Sequence, residues 1–311
     1  MIRRSLFSLP CLYARRLCAL MCCLTVFTAG LPLLPFPEAP LFPGRNRPLS
    51  AAADSEPSES SDILSILLIG QDAREEGEAA RSDCMILCSF HRKTKQVTMT
   101  SFLRDLYVQI PGHGGNRINA AYALGGSTLL RQTLTENFHI PIDGCIEVDF
   151  SQFSQIIDLL GGVPITLRAD EARIISRETG TSLSEGEQTL NGEQALAYAR
   201  IRKLDADGDL SRTNRQRKVI RSLLDTCKNT SVTKFLPTLR KLLPLIQTDM
   251  RSGQLLLCAL EVLPYLSEAG IVSQSVPAEG TYRDETIDGM AVLVTDMEKA
   301  AHALQESLSG G

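Results

Sequence analysis

The stretch ARIRKLDADGDLSRTNRQRK, residues 199–218, gathers Arg200, Arg202, Lys203, Arg212, Arg215, Arg217 and Lys218 around Asp205, Asp207 and Asp209, in a chain of net charge −4. If the chain leaves its preceding helix at Tyr198, Arg200 and Arg202 project to one side, because extended side chains repeat every two residues. In a continuous helix they would diverge by about 200°. Arg212, Arg215 with Gln216, Val219 and Leu223 follow helical spacing, so one face runs from guanidinium into apolar core. A merely solvated helix would place its charges opposite the apolar stripe. The planar, permanently charged guanidinium matches phosphate oxygens two at a time, and several aimed at one place suit a pyrophosphate. The competing reading is a solvated charge run neutralised by the three aspartates.

Two further clusters sit at the ends of apolar runs. In GQDAREEGEAARSD, residues 70–83, Asp72 follows one strand-like run, and Arg81 and Asp83 precede the next. Ligands of open α/β sheets collect outside strand ends, and two carboxylates brought together there could share a magnesium ion. Equally, Asp72 and Asp83 could cap turns or pair with Arg74 and Arg81. In FLRDLYV, Arg104 and Asp105 form an adjacent pair whose simplest reading is a structural ion pair. Arg117 and Asn119 open a helix, where capping is the default role. The motifs GxxxxGK[ST], GxSxG and HExxH are absent, and His91, His113, His139 and His302 are dispersed.

The elements that must position these residues alternate. ILSILLIG (63–70), CMILCSF (84–90), QVTMTSF (96–102), LYVQIP, IDGCIEVDF (142–150), VPITL and IVSQSVP read as strands, with a hairpin between 84 and 102. Helices are predicted over 127–138 capped by Ser127, after Ser151 up to Gly161-Gly162, after Asn191, from Asp209 onward, across the Leu-rich stretch 232–268, and near 295–308. Strands alternating irregularly with helices imply an α/β/α sandwich around a central mixed sheet.

Ahead of this domain lies a different composition. Arg3, Arg4, Arg15 and Arg16 precede residues 17–36, which carry no charge. At about 1.5 Å per residue, such a run spans roughly 30 Å, the hydrocarbon core of a bilayer. The arginine asymmetry places residues 1–16 in the cytoplasm and the remainder outside, as a single-pass cell-membrane protein. A cleaved signal peptide is the alternative. The Pro- and Ser-rich residues 37–61 read as a linker, and 62–311 as the extracytoplasmic domain. Its five cysteines, Cys84, Cys88, Cys145, Cys227 and Cys258, are scattered and read as buried free thiols. An acidic pI near 5.7, 5% aromatic residues and no Trp argue against a nucleic-acid partner.

Taken in order, IGQDARE, RSD, SFLRD, RINAAYALGG, VDFSQFSQIIDLLGGVP, LNGEQALAYARIR and DGDLSRTNRQRKVI resemble the LytR-CpsA-Psr family, over about residues 63–225. The resemblance implies a membrane-anchored transferase. It would move a glycopolymer from an undecaprenyl-pyrophosphate carrier to the C6 hydroxyl of N-acetylmuramic acid in peptidoglycan, with Mg²⁺ (or Mn²⁺) as cofactor. It also implies that Asp72 and Asp83 hold the metal. Arg74, Arg81, Arg104, Arg200, Arg202, Arg212, Arg215 and Gln216 would bind the diphosphate, and Asp105 would orient groups or act as base. Gln71 departs from the small or apolar residue expected at its position. Two other functions use the same residues: hydrolysis of the lipid pyrophosphate with water as acceptor, and a non-catalytic envelope sensor or transcriptional attenuator.

Overall fold

The computed structural model describes residues 62–72, 81–202, 204, 208–229, 237–238, 240–265 and 271–309. The predicted N-terminus (1–16), membrane segment (17–36) and linker (37–61) therefore lie outside the described residues. So do Arg74, Lys203, Asp205 and Asp207. Among the described residues no helix is long and apolar enough to cross a membrane.

The strands are β1 (Ile63–Asp72), β2 (Arg81–His91), β3 (Gln96–Phe102), β4 (Tyr107–Ile110), β5 (Gly114–Arg117), β6 (Gly144–Asp149), β7 (Val163–Leu167), β8 (Gly186–Leu190), β9 (Gln247–Thr248), β10 (Ile271–Val276), β11 (Tyr282–Ile287) and β12 (Met290–Thr295). The helices are α1 (Ile118–Phe138), α2 (Phe150–Leu159), α3 (Ala169–Thr179), α4 (Gly192–Arg200), α5 (Gly208–Asn229), α6 (Ser252–Val262) and α7 (Met297–Leu308). Six strands form the central sheet in the order β10-β3-β2-β1-β6-β9. β1 pairs antiparallel with β2 and parallel with β6, and β10 runs parallel to β3, so the sheet is mixed as expected.

β1 is apolar at successive positions because both of its faces are covered. Leu67 and Ile69 enter a core with Leu130 and Leu134 of α1 and Leu304 and Leu308 of α7. Leu64, with Ile66 and Leu68, packs on the other face with Ile220 and Leu224 of α5 and Cys258 and Val262 of α6. A third apolar cluster joins α2, α3, α4, α5 and the β7–β8 ribbon. The thiols of Cys84, Cys88, Cys145 and Cys258 are free. Burial pushes Cys84, Cys88 and Cys145 up to about 12, so these thiols stay protonated and unreactive.

Several local expectations change on folding. The helix expected over 127–138 is present; it follows a first helical stretch from Ile118 across a break at Gly125–Gly126, with Gly126 at φ 67 where a Cβ would be strained. Asp149, not Ser151, caps α2: its side chain accepts from the Gln152 amide and the Gln152 side chain returns to the Asp149 amide. Asn191 caps α4 as predicted, accepting from Gln194 N at 2.9 Å. VPITL forms its strand in a separate ribbon with β8, not in the central sheet. The Leu-rich stretch from 232 is no continuous helix. A 3₁₀ turn at Leu243–Leu245, with Pro244 inside it, and the short edge strand β9 precede α6.

Candidate active site: an arginine cluster on a bulged aspartate

The site forms where β1 ends and β2 begins. Gly70 pairs with Cys84 and Gln71 with Ser82, so Asp83 is the extra residue of a β-bulge. A bulge bends its strand and redirects the side chain it carries. Beyond β3, Leu103 and Leu106 are buried and anchor a tight turn closed by Leu106 N donating to Leu103 O at 3.0 Å. The turn presents Arg104 and Asp105. Its carbonyls are held as well: Arg104 O accepts from Asn119 N at 3.3 Å, and Asp105 O from Leu293 N at 2.8 Å.

Four arginines from four segments meet these two acids. Nη1 of Arg104 donates to Oδ1 of Asp83 at 3.1 Å, and Nη2 of Arg202 to Oδ2 at 3.0 Å. Arg212, buried on α5, donates from Nη2 to the Asp83 carbonyl at 3.4 Å. Arg104 also reaches Asp105 Oδ2 from Nε at 3.2 Å, and Arg117 Nη1 reaches Asp105 Oδ1 at 3.2 Å. Burial by itself would raise the pKa of Asp83, but the charge of Arg212 and the hydrogen bond and charge of Arg104, with Arg202, outweigh it and hold the carboxyl below its ordinary value. Among the described side chains, four guanidiniums stand against two carboxylates, an excess of positive charge partly shielded from water, which is the electrostatic requirement of an anion site.

The other predicted residues divide. Asp72 closes β1 opposite Arg81, the first residue of β2, so both backbones lie at the end of the sheet that carries the bulge. Gln216 is half-buried one turn from Arg212, on the same side of α5. The structure does not bring Arg215 to the cluster. It is buried against Glu171 of α3, with Nε to Oε1 at 2.8 Å and Nη1 to the Ile201 carbonyl at 3.3 Å. Nor does Arg200 share a face with Arg202 by strand alternation. α4 stays helical through Arg200, the chain turns extended only at Ile201, and the Arg200 guanidinium lies 4.7 Å above the Phe150 ring. Arg217 donates to the Gln274 carbonyl at 2.6 Å, tying α5 to the edge strand.

Two groups escaped the sequence reading. Arg117 precedes α1 but makes no side-chain cap; its guanidinium serves Asp105 instead. The signal was available, since a cation is unfavourable at a helix N-terminus and implies another partner. Gln71, the departure from the family pattern, accepts from the buried Tyr122 hydroxyl at 3.0 Å, and that hydroxyl lies 2.6 Å from Oε2 of Glu147. Burial and then the Glu147 carboxylate push the Tyr122 hydroxyl well above its ordinary pKa, so it remains a neutral hydrogen-bonding group.

A model of the LytR_cpsA_psr family matches residues 44–308. The polyisoprenyl-teichoic acid–peptidoglycan teichoic acid transferase TagT of Bacillus subtilis is 41% identical over 177 residues, covering 55% of this chain and 54% of that protein. The chain thus spans about half the length of this relative. The regulatory protein MsrR of Staphylococcus aureus is 34% identical over 243 residues, covering 76% of this chain and 72% of MsrR. A solved structure of TagT with bound octaprenyl pyrophosphate lipid superimposes with a TM-score of 0.62 at 28% identity, over 83% of this chain and 92% of that one.

Proposed function

Since the chain belongs to the LytR-CpsA-Psr family, we propose that it is a membrane-tethered phosphotransferase acting on a polyprenyl-pyrophosphate-linked glycopolymer. The acceptor in this reading is the C6 hydroxyl of N-acetylmuramic acid in peptidoglycan, and residues 17–36 supply the tether. The observation that carries the proposal is the cluster at the Asp83 bulge, where four arginines exceed two carboxylates among the described side chains. A diphosphate esterified at both ends carries one negative charge per phosphorus, which matches that excess. The transferase name of TagT and the pyrophosphate lipid bound in its structure support the same substrate class.

In the reaction the acceptor oxygen bonds to the phosphorus nearer the glycan, and the bond from that phosphorus to the lipid-phosphate oxygen breaks. The hydroxyl proton leaves to a base, and the products are a wall phosphodiester and a lipid monophosphate. Such transfer depends mainly on positioning and on stabilising charge at the phosphoryl oxygens. Arg104, Arg202 and Arg212 hold those oxygens in this reading. Asp105, shared between Arg104 and Arg117, positions both guanidiniums.

In this reading Asp83 also serves a hard divalent cation. Asp83 is kept ionised, and its two guanidinium contacts do not exhaust the roughly four lone-pair directions of a carboxylate. Asp83 with Asp72 would hold Mg²⁺, which usually takes one or two carboxylates and keeps water and phosphate for its other positions. Bound there, the ion would draw charge from the phosphoryl oxygens.

The test uses the full chain in lipid discs with a polyprenyl-pyrophosphate glycan, a peptidoglycan oligomer and Mg²⁺. Mass spectrometry should find the glycan–peptidoglycan phosphodiester, lost on chelation. Free glycan phosphate in its place would make the chain a pyrophosphatase, and no turnover of the lipid would refute both enzymatic readings.

A further inference from the structure

Among the described residues four large apolar side chains stand exposed: Leu124, Leu257, Leu260 and Val272. Three of them belong to one end of the central sheet, the end where β1 begins. Val272 pairs with Thr98, near the start of β3, and Ile63 pairs with His91, just across the β2–β3 turn. α6 is fastened to the same end through Arg92. The Arg92 amide donates to the Asp62 carbonyl at 2.7 Å, and its guanidinium grips Glu261 with contacts of 2.7 and 3.3 Å. Just beyond α6, Tyr265 stacks on Phe90 with ring centroids 5.6 Å apart.

α6, SGQLLLCALEV, is apolar on nearly every side, yet none of its residues is buried. A helix hydrophobic all round is normally covered. Gly253, Leu257, Leu260 and, in the following turn, Pro264 are exposed at successive spacings of four, three and four, a single uncharged stripe, with Leu257 67% exposed. The described acids of this segment are paired: Glu261 is held by Arg92, and Asp249 pairs with Arg131 at 2.9 Å and accepts from Cys145 N at 2.7 Å. The cations at this end are those of the β2–β3 turn: Lys93 is exposed beside Asp62, and the Lys95 ammonium lies 4.7 Å over the Tyr265 ring. An apolar stripe accompanied by cations is the chemistry of a surface that enters an anionic lipid interface. A second copy of this chain fits less well, because a two-fold contact would set like charges against one another.

We infer that this end of the domain, with the Gly253–Leu257–Leu260–Pro264 stripe at its centre, docks onto an anionic membrane surface. The inference rests on the tether proposed above. Residue 62 joins the sheet at this same end, directly after the proposed 25-residue linker 37–61. A tether of that length keeps the domain at high effective concentration, so a modest patch suffices. β1 then runs away from the bilayer, and its 10 residues, at about 3.3 Å each, carry the Asp83 cluster roughly 30 Å outward, toward a wall acceptor.

The experiment places the full chain in discs of phosphatidylcholine with and without phosphatidylglycerol and follows amide hydrogen exchange. Residues 252–265 should exchange at least about fivefold more slowly in the anionic discs, the effect of one basic residue near such a surface. The Leu257→Glu/Leu260→Glu variant should lose that slowing while β1–β3 keep their native exchange protection, which shows the fold intact. Chain that remains in both discs but shows equal exchange in wild type and variant overturns the docking and leaves the transferase reading standing. So does slowing that appears in lipid-free detergent and grows with protein concentration, which marks self-association. Chain that leaves both discs overturns the tether itself, and the docking with it.

Discussion

Arg212 and Arg215 lie almost one turn apart on α5, both nearly inaccessible to water, and their surroundings differ in kind. Arg215 meets Glu171, each side chain 4% exposed; Glu171 also lies 3.9 Å from Nε of Arg168, which Asp170 pairs in turn, and it caps the start of α3 by accepting from Arg168 N at 3.0 Å. That pair balances its charge and pins α5 to α3. Arg212 instead joins Arg104, Arg202 and Arg117 around two half-buried acids, where positive charge remains in excess. A neutralised pair stabilises a fold and has nothing to offer a ligand; an unbalanced, partly open cluster sacrifices some stability and attracts one. The same residue type within one motif thus serves two purposes, decided by what stands opposite.

The comparison can be broken most severely at the closed pair. Glu171→Ala should destabilise the domain by about 3–5 kcal/mol, since it strands a buried guanidinium. Denaturant unfolding measures this, and the molecules that remain folded should bind prenyl pyrophosphate normally. A loss below about 1 kcal/mol would mean that Arg215 finds solvent or another partner.

At the open cluster the effects reverse. Arg104→Lys and Arg202→Lys should each weaken short-chain prenyl pyrophosphate binding roughly tenfold or more, because a charged hydrogen bond contributes about 1.5–3 kcal/mol and lysine cannot form the paired contact. Stability should change by no more than about 1 kcal/mol. Unchanged affinity in calorimetric titration of both variants would move the diphosphate elsewhere.

Acid sharpens the contrast further. Because the pKa of Asp83 is lower in the folded than in the unfolded chain, its contribution to stability is complete above the ordinary aspartate range, near ~4, and disappears as pH falls through the depressed value. The difference in stability between wild type and Asp83→Asn should therefore shrink as pH drops below that range. A difference that stays constant with pH would show that the arginines do not perturb this group.

The smallest effect belongs to Arg200. Its exposed guanidinium on the Phe150 ring should contribute about 0.5–1 kcal/mol, so Arg200→Ala should lower stability slightly and leave diphosphate affinity intact. A tenfold loss of affinity would return Arg200 to the cluster.

Much was legible in the linear order. The apolar runs at 63–70, 84–90 and 96–102 became three adjacent strands, because a strand covered on both faces announces itself within a few residues. Asn191 could be read as a cap because a cap needs only a side chain and an amide three residues on. Ser151 misled because Asp149 offered the same chemistry two positions earlier. The family, too, was present in the order of its motifs, which survive without reference to shape.

Tertiary structure alone decided which charges meet. Arg202 and Arg212 reach Asp83 from 119 and 129 residues away, and Arg215 reaches Glu171 across 44. No periodicity carries that information, since the direction of a long side chain depends on where its helix ends and what packs beneath it. Arg200 stayed on the helix and turned to Phe150 for that reason, and Gln71 acquired a purpose only when α1 brought Tyr122 across the sheet to it. Sequence supplied the guanidiniums and carboxylates; the bulge at Asp83, produced by one unpaired residue between two strands, determined the point on which they converge.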